Sequence, residues 1–302
     1  MSVRSLTFAA AAAALLAVPV SAAEKQALTF AWDAPAEATV TELSNARGSQ
    51  VIMTYKLSVA PGQTPDSFVV ARSDFDFLSL DNKPVTQPGQ KARLALDIGA
   101  QAVVPTMNVG ADGKIASFNP FDFKAVYEEL ASIGRAIPEL RAAVEDLRVM
   151  KDRQQLNKNR AIEDWRVSVE NWLGTDMAPG ESIVEHPELE FDSITVKGTV
   201  TTKHEGKTDD CADCIKLSLT AVYGGDGMRQ AMINYSIAAG VEREQIEKQV
   251  AGFEKVSEVV LITSVSTMRP ELVTVRSINR LLQPGGQSQE QVERRTMKFD
   301  WK

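Results

Sequence analysis

A stripe of apolar side chains at helical spacing in the middle of the chain places the strongest constraint on its fold. The side chains recur at steps of three and four residues, as on one face of an α-helix. They are Val126, Leu130, Ile133, Ile137, Leu140, Val144 and Leu147. Pro138 interrupts the pattern, because proline cannot donate the helical hydrogen bond. Burying each apolar side chain is worth about 1.5–3 kcal/mol, so the stripe requires a large apolar partner surface.

Strand-like patterns flank this helical region over 27–118 and 189–302. The clearest is 215–223, where apolar residues alternate with polar ones, as in a half-buried strand. The alternation slips within 68–80, because Phe68 and Phe75 fall on opposite phases. We therefore predict a β-bulge near Arg72–Asp74, which would return these side chains to one face.

These patterns predict an α+β fold for 24–302 as a single domain. It would consist of β segments at 27–118, helices at 120–173 and a β-rich part at 189–302. The N- and C-terminal β segments would form one curved antiparallel sheet, packed on a central group of helices. Two β domains bridged by helices are the alternative, but they would leave the apolar stripe with less surface to cover it.

The first 23 residues have the three parts of a secretory signal peptide. Arg4 precedes an apolar run from Leu6 to Val18, which is too short to span a bilayer. Small residues follow, and cleavage after Ala22 or Ala23 fits equally well. We therefore expect an exported protein, periplasmic rather than fully secreted, with no membrane span after cleavage. The acidic pI near 5.1 argues against nucleic acid as a partner.

The most specific local motif is Cys211-Ala212-Asp213-Cys214. Two cysteines this close in an exported protein indicate a disulfide bond between Cys211 and Cys214. A redox pair is disfavoured because the motif precedes a strand and because neighbouring carboxylates oppose a thiolate. A zinc site would need two further ligands, and His204 is the nearest histidine.

Catalytic signatures are weak throughout the sequence. His186 and His204 lie in polar segments and are expected to be exposed, and no serine lies in a Gly-x-Ser-x-Gly elbow. In a regular strand Asp74 and Asp76 would share a face with Arg72, as a solvated edge with a local ion pair. The sequence contains neither of the phosphate-binding motifs Gly-x-x-x-x-Gly-Lys-Ser/Thr and Gly-x-Gly-x-x-Gly. We predict neither an enzyme nor a cofactor or metal site.

Trp165 and Trp172 lie seven residues apart on one helical face, where they could line an apolar cavity or pack in the core. The sheet-and-helix architecture resembles, in outline only, bacterial envelope carriers that hold lipid or lipoprotein in an apolar cavity. This resemblance implies a non-catalytic envelope protein with a lipid, another apolar ligand or a partner chain as its occupant. The alternatives are an assembly module that pairs with an envelope protein through exposed strand edges, and a hydrolase of unknown class.

Overall fold

The computed structural model describes residues 25–46, 48–98, 105–119, 147–191 and 194–302, and the single positions 128, 131, 135 and 138. The predicted signal peptide lies outside the described residues. The stripe residues from Val126 to Val144 lie outside them as well.

Fifteen strands, four α-helices and one short 3₁₀ turn have both ends within the described residues. Positions 128, 131 and 135 are also helical, and position 138 lies in a 3₁₀ turn. The strands are β1 Gln26–Ala27, β2 Ala36–Ala46, β3 Ser49–Pro61, β4 Phe68–Leu80, β5 Lys83–Pro84, β6 Met107–Val109, β7 Ile115–Phe118, β8 Asp176–Met177, β9 Ser182–Glu185, β10 Glu188–Phe191, β11 Ile194–Lys207, β12 Cys214–Tyr223, β13 Gly252–Ser264, β14 Pro270–Leu282 and β15 Ser288–Trp301. The helices are α1 Pro88–Ile98, α2 Leu147–Ser168, α3 Gly225–Ala238 and α4 Arg243–Gln249, and the 3₁₀ turn is Glu170–Trp172. None of the described helices combines the length and apolar character that crossing a membrane would require.

Thirteen of these strands form one antiparallel sheet. Its order is β10-β11-β12-β13-β14-β15-β2-β3-β4-β6-β7, with β5 paired to β4 and β9 paired to β11. The last strand, β15, lies beside β2, where Phe299 is opposite Val40. Strands from the two ends of the described chain therefore meet in the middle of the sheet. The remaining strands, β1 and β8, pair with each other.

One row of directly opposed residues crosses seven strands and defines what we call the inner face of the sheet. The row is Leu217, Leu261, Val273, Met297, Glu42, Met53 and Phe77. All seven side chains are buried. Because side chains alternate along a strand, residues two positions away in either direction lie on the same face. Glu42 is the one charged member of the row, and its partner is described with the site below.

A β-bulge in β4 confirms the prediction for 72–74. The β3–β4 register shifts between Thr54 and Lys56, and Asp74 has a φ of 55°. The bulge places Phe75 and Phe77 on the same buried face as Val70. It also separates Arg72 from Asp76, so the expected local ion pair is wrong, and Asp76 bonds to Lys91 instead.

An aromatic cluster fills the inner face over β15 and β2–β4. The segment before β2 contributes Trp32, whose ring centroid lies 5.3 Å from that of Trp165 and 5.1 Å from that of Trp301. The indole N–H of Trp165 donates to the carbonyl of Gly113 at 2.8 Å. An extended segment and the end of α2 therefore cover this half of the sheet, and its core is continuous with Leu217 and Leu261 on β12 and β13.

The predicted α+β fold with a central group of helices is wrong. Among the described residues the protein is mostly antiparallel sheet, and thirteen of the strands form one sheet. Short windows of periodicity underestimated the strands, two of which, β11 and β15, run for 14 residues each. The core is built mainly from strand side chains and the segment around Trp32. Helix α3 packs against β11 and β13, and with α4 it forms a small separate cluster that contains Ile233, Ile246 and Val250.

Candidate ligand-binding site

The inner face of β11–β13 carries a cleft of about 460 Å³, which we call the apolar cleft. Its apolar lining consists of Val167, Leu189, Val200, Leu219, Ala221, Val259 and Met228. Strand pairing assembles the floor, since Val200 lies opposite Ala221 and Leu219 lies opposite Val259. Tyr223 at the end of β12 also lines the cleft, but the floor side chains between it and α2 are smaller than the aromatic residues of the other half, so they leave space above the sheet.

Charged and hydroxyl side chains complete the lining of the apolar cleft. Glu163 and Arg166 lie on α2, while Glu185 and Lys255 lie on strands. Arg166 already has a partner, since its Nε lies 3.6 Å from a carboxylate oxygen of Glu170. A small number of polar groups around an apolar interior is typical of ligand-binding pockets.

A second cleft of about 410 Å³, the polar cleft, adjoins the first over β14, β15 and β2. Its lining consists of Ser44, Asn45, Asn159, Arg160, Glu163, Val275, Ser277, Glu293, Arg294 and Arg295. Glu163 and Ser277 line both clefts. The two clefts are therefore neighbours on one surface, and one is hydrocarbon-rich while the other is rich in arginine.

Buried ion pairs join α2 to the sheet beneath the polar cleft. Asp164 is 2% exposed and accepts from Arg72 Nη1 at 2.6 Å, and it also pairs with Arg295. Arg160 pairs with Glu42, which is 1% exposed. Burial opposes ionisation of Asp164, but the positive charges of Arg295 and Arg72 outweigh it and lower the pKa of its carboxyl. These ion pairs hold α2 in a fixed position across the inner face.

Sequence reasoning missed this ion-pair network. In the sequence, Arg294 stands directly beside Arg295 in β15, where Met297 and Phe299 are buried. Alternation in fact puts Arg295 on the inner face with Met297, because the two are two residues apart. The sequence carries two signals of this network. Arg295 lies two residues from the apolar Met297, so the two share a face of the strand, and Asp164 directly precedes the apolar Trp165 of α2.

Trp165 and Trp172 are both buried, with 3% and 0% exposure. Trp165 borders a cavity of only about 20 Å³ within the aromatic core. The indole N–H of Trp172 donates to the carbonyl of Val167 at 2.7 Å. Neither tryptophan is among the described residues that line the apolar cleft, whereas Val167 between them is.

The disulfide bond predicted between Cys211 and Cys214 is present. It closes the loop before β12, and Asp213 fastens that loop to the β13–β14 turn. The carboxylate of Asp213 accepts from the hydroxyl of Ser264 and from the backbone N–H of Ser266, both at 2.9 Å. Hydrogen bonds from Ser266 lower the pKa of Asp213, which keeps it ionised as an acceptor. An oxygen of Glu271 lies within 4.8 Å of both sulfurs, and burial raises the pKa of this carboxyl.

A third cleft, of about 480 Å³, contains His204, Asp213 and Ser266. His204 is 8% exposed within β11, so its expected exposure is wrong, and burial lowers its pKa. Its Nδ1 accepts the N–H of Gly206 at 3.0 Å, so this nitrogen cannot donate to a carboxylate as in a catalytic triad. His186 is exposed as predicted, and its Nδ1 lies 3.3 Å from the hydroxyl of Thr199.

No protein-family model and no curated protein matches this chain. Among solved structures, the chain is similar to one from work on lipid–protein interactions in lipovitellin. The TM-score is 0.36 and the identity 10%, over 88% of this chain and 24% of the lipovitellin chain. A similarity at this level carries no argument about function.

Proposed function

We propose that this protein is an exported, non-catalytic carrier that holds one hydrocarbon chain in the apolar cleft. The observation that supports the proposal is the cleft itself, a space of about 460 Å³ floored by Val200, Leu219, Ala221 and Val259. This volume lies in the range of small-molecule pockets. Each methylene buried there would contribute about 0.8 kcal/mol to binding.

The floor of the cleft favours a hydrocarbon chain over a peptide. It is formed by β11, β12 and β13, whose facing backbone groups are paired in regular register from Gly198 to His204 of β11 and along the whole of β12 and its partner β13. A peptide lying there would bury backbone N–H and C=O groups, each of which needs a hydrogen-bond partner. The floor offers mainly hydroxyl groups, from Thr202, Ser257 and Ser277. A saturated chain has no such requirement.

Export is supported by the signal-like N-terminus and by the disulfide, since disulfide bonds persist in oxidising compartments. A non-catalytic role is supported by Glu42 and Asp164, the buried carboxylates beneath the polar cleft, because both are engaged in ion pairs. His204 and Asp213 share a cleft, but each is bonded to a different partner. A carrier requires only the shape and apolar character of its cleft.

The decisive experiment fills the cleft and measures binding of Nile red, a neutral apolar dye. Ala221→Phe should weaken dye binding by about tenfold or more, because the phenyl ring would occupy the ligand's space. Val222→Phe is the matched control, since Val222 is the next residue of the same strand and lies on the opposite face. Absence of dye binding, or equal binding by both variants and the parent, would refute the carrier.

A second candidate function, assembly through a strand edge, is favoured by β9. All four residues of β9 are exposed, including Ile183 and Val184 at 41% and 53%. Exposed apolar edges of this kind can receive a partner strand. A photo-crosslinker at Val184 in cells should then trap one dominant protein, and the same group at Tyr235 on α3 should not. Equal trapping at both positions would dismiss this candidate.

A further inference from the structure

We infer that the ligand is an anionic amphiphile, whose charged head occupies the polar cleft while its chain lies in the apolar cleft. The inference rests on the proposed function and adds the chemical class of the ligand. Its basis is the direct juxtaposition of the two clefts, which share Glu163 and Ser277. A molecule with one charged end and one hydrocarbon end matches a surface with the same division.

One row of directly opposed residues changes from apolar to positively charged as it crosses the sheet. Leu219, Val259, Val275 and Arg295 are successive partners across β12, β13, β14 and β15. Adjacent strands lie about 4.8 Å apart, so Leu219 and Arg295 are separated by about 14 Å along the row. A ligand lying across the strands would therefore pass from a hydrocarbon floor to a guanidinium group within the length of an extended twelve-carbon chain.

Unused guanidinium donors in the polar cleft favour an anionic head. Beneath the cleft, the three arginines Arg72, Arg160 and Arg295 surround two buried carboxylates, those of Glu42 and Asp164. The rest of the lining adds Arg294 against Glu163 and Glu293, so the preference for an anion depends on these donors and not on net charge. Arg160 and Arg295 both line the cleft, and their side chains are 29% and 14% exposed. A guanidinium has five N–H donors, and the described ion pairs use one terminal nitrogen of each arginine.

Removing the charge of Glu163 should have the opposite effect on ligand preference from removing an arginine. Its exposed carboxylate lies at the junction of the clefts and acts electrostatically on Arg295. It would repel an anionic head while leaving a neutral head unaffected. Removing its charge should therefore strengthen the preference for an anion, whereas removing an arginine should weaken it.

The experiment measures displacement of Nile red from the full chain near neutral pH by three kinds of competitor. Dodecanoate and dodecanol carry the same hydrocarbon chain with a charged and a neutral head, and acetate and inorganic phosphate carry an anion without a chain. Dodecanoate should displace the dye at a concentration about tenfold lower than dodecanol, since hydrogen bonds to charged groups are strong. Acetate and phosphate should displace none.

Three variants sharpen the result. Glu163→Gln should raise the preference for dodecanoate over dodecanol by about threefold or more. The paired change Glu42→Gln with Arg160→Gln removes a donor together with its buried partner, and should reduce the preference towards equality. The matched control is Glu258→Gln with Arg276→Gln, an ion pair at 2.9 Å on the opposite face of β13 and β14.

The possible outcomes separate this inference from the carrier function. Equal displacement by dodecanoate and dodecanol would overturn the anionic head while leaving the carrier intact. Displacement by acetate or phosphate alone would replace the amphiphile with a free anion, and so would also overturn it. Failure of every competitor and of Nile red to bind would refute the carrier itself. Should the paired variant fail to fold, an unchanged preference in Glu163→Gln would still overturn the inference.

Discussion

The two halves of the large sheet use the same inner face in different ways. Over β15 and β2–β4 the face is covered by Trp32, Trp165 and their neighbours, and the interior is filled. Over β11–β13 the opposed side chains are those of Val200, Leu219 and Ala221, and a cleft remains. Strand pairing and alternation are alike in both halves. The size of the side chains, and the presence of the Trp32 segment over one half, decide which half is a core and which can receive a ligand.

The largest expected effect is the loss of stability when a tryptophan of the filled half is removed. Trp165→Ala should lower the free energy of unfolding by about 4 kcal/mol, because it empties a buried site beside Trp32 in the filled half. Urea unfolding measures this loss. Nile red binding without denaturant should survive, since Trp165 does not line the apolar cleft. A cost under about 1 kcal/mol would mean that this half is not rigidly packed.

A smaller loss is expected at the connection between α2 and the sheet. Asp164→Asn should cost about 3 kcal/mol near neutral pH, because it leaves Arg72 and Arg295 buried without their shared carboxylate. The pKa of Asp164 lies below its usual 3.8, so its charge stabilises the fold above that value. The stabilisation disappears as the pH falls through the lowered pKa. Unfolding curves for variant and parent should therefore converge in acid, and a constant difference at every pH would contradict the ionic role.

The smallest effect compares one substitution in both halves. Ala38→Phe should cost about 1–3 kcal/mol, because Ala38 is 1% exposed in a filled core that cannot accept a ring. Ala221→Phe should cost less than about 1 kcal/mol, because its ring can enter the apolar cleft. Thermal or urea unfolding of the two variants measures the difference. Equal costs would show that the cleft has no room for a ring.

Local features were predictable from the sequence where a short-range rule decides them. Alternation over 215–223 predicted β12, and the slipped phase of Phe68 and Phe75 predicted the bulge. The spacing of Cys211 and Cys214 predicted their bond. In each case the deciding interactions lie within a few residues along the chain or on one strand.

Long-range arrangements were not predictable in the same way. The ion pairs between Arg72, Asp164 and Arg295 join residues from three distant parts of the chain, so a local sequence pattern does not predict them. The clefts depend on the register between β11, β12 and β13, which sets Leu219 opposite Val259. The proportion of strand to helix was misjudged because β15 is rich in polar residues. In such a strand, alternating hydrophobicity is visible over only part of the length.

The central position of β15 has a consequence for the order of assembly during synthesis. Trp301 lies opposite Ala38, so the pairing that joins β14 to β2 through β15 closes a loop of more than 250 residues. Contacts of such sequence separation form slowly. A nascent chain emerging from the ribosome would carry β2–β4 and β11–β14 as two unconnected ribbons until β15 is released.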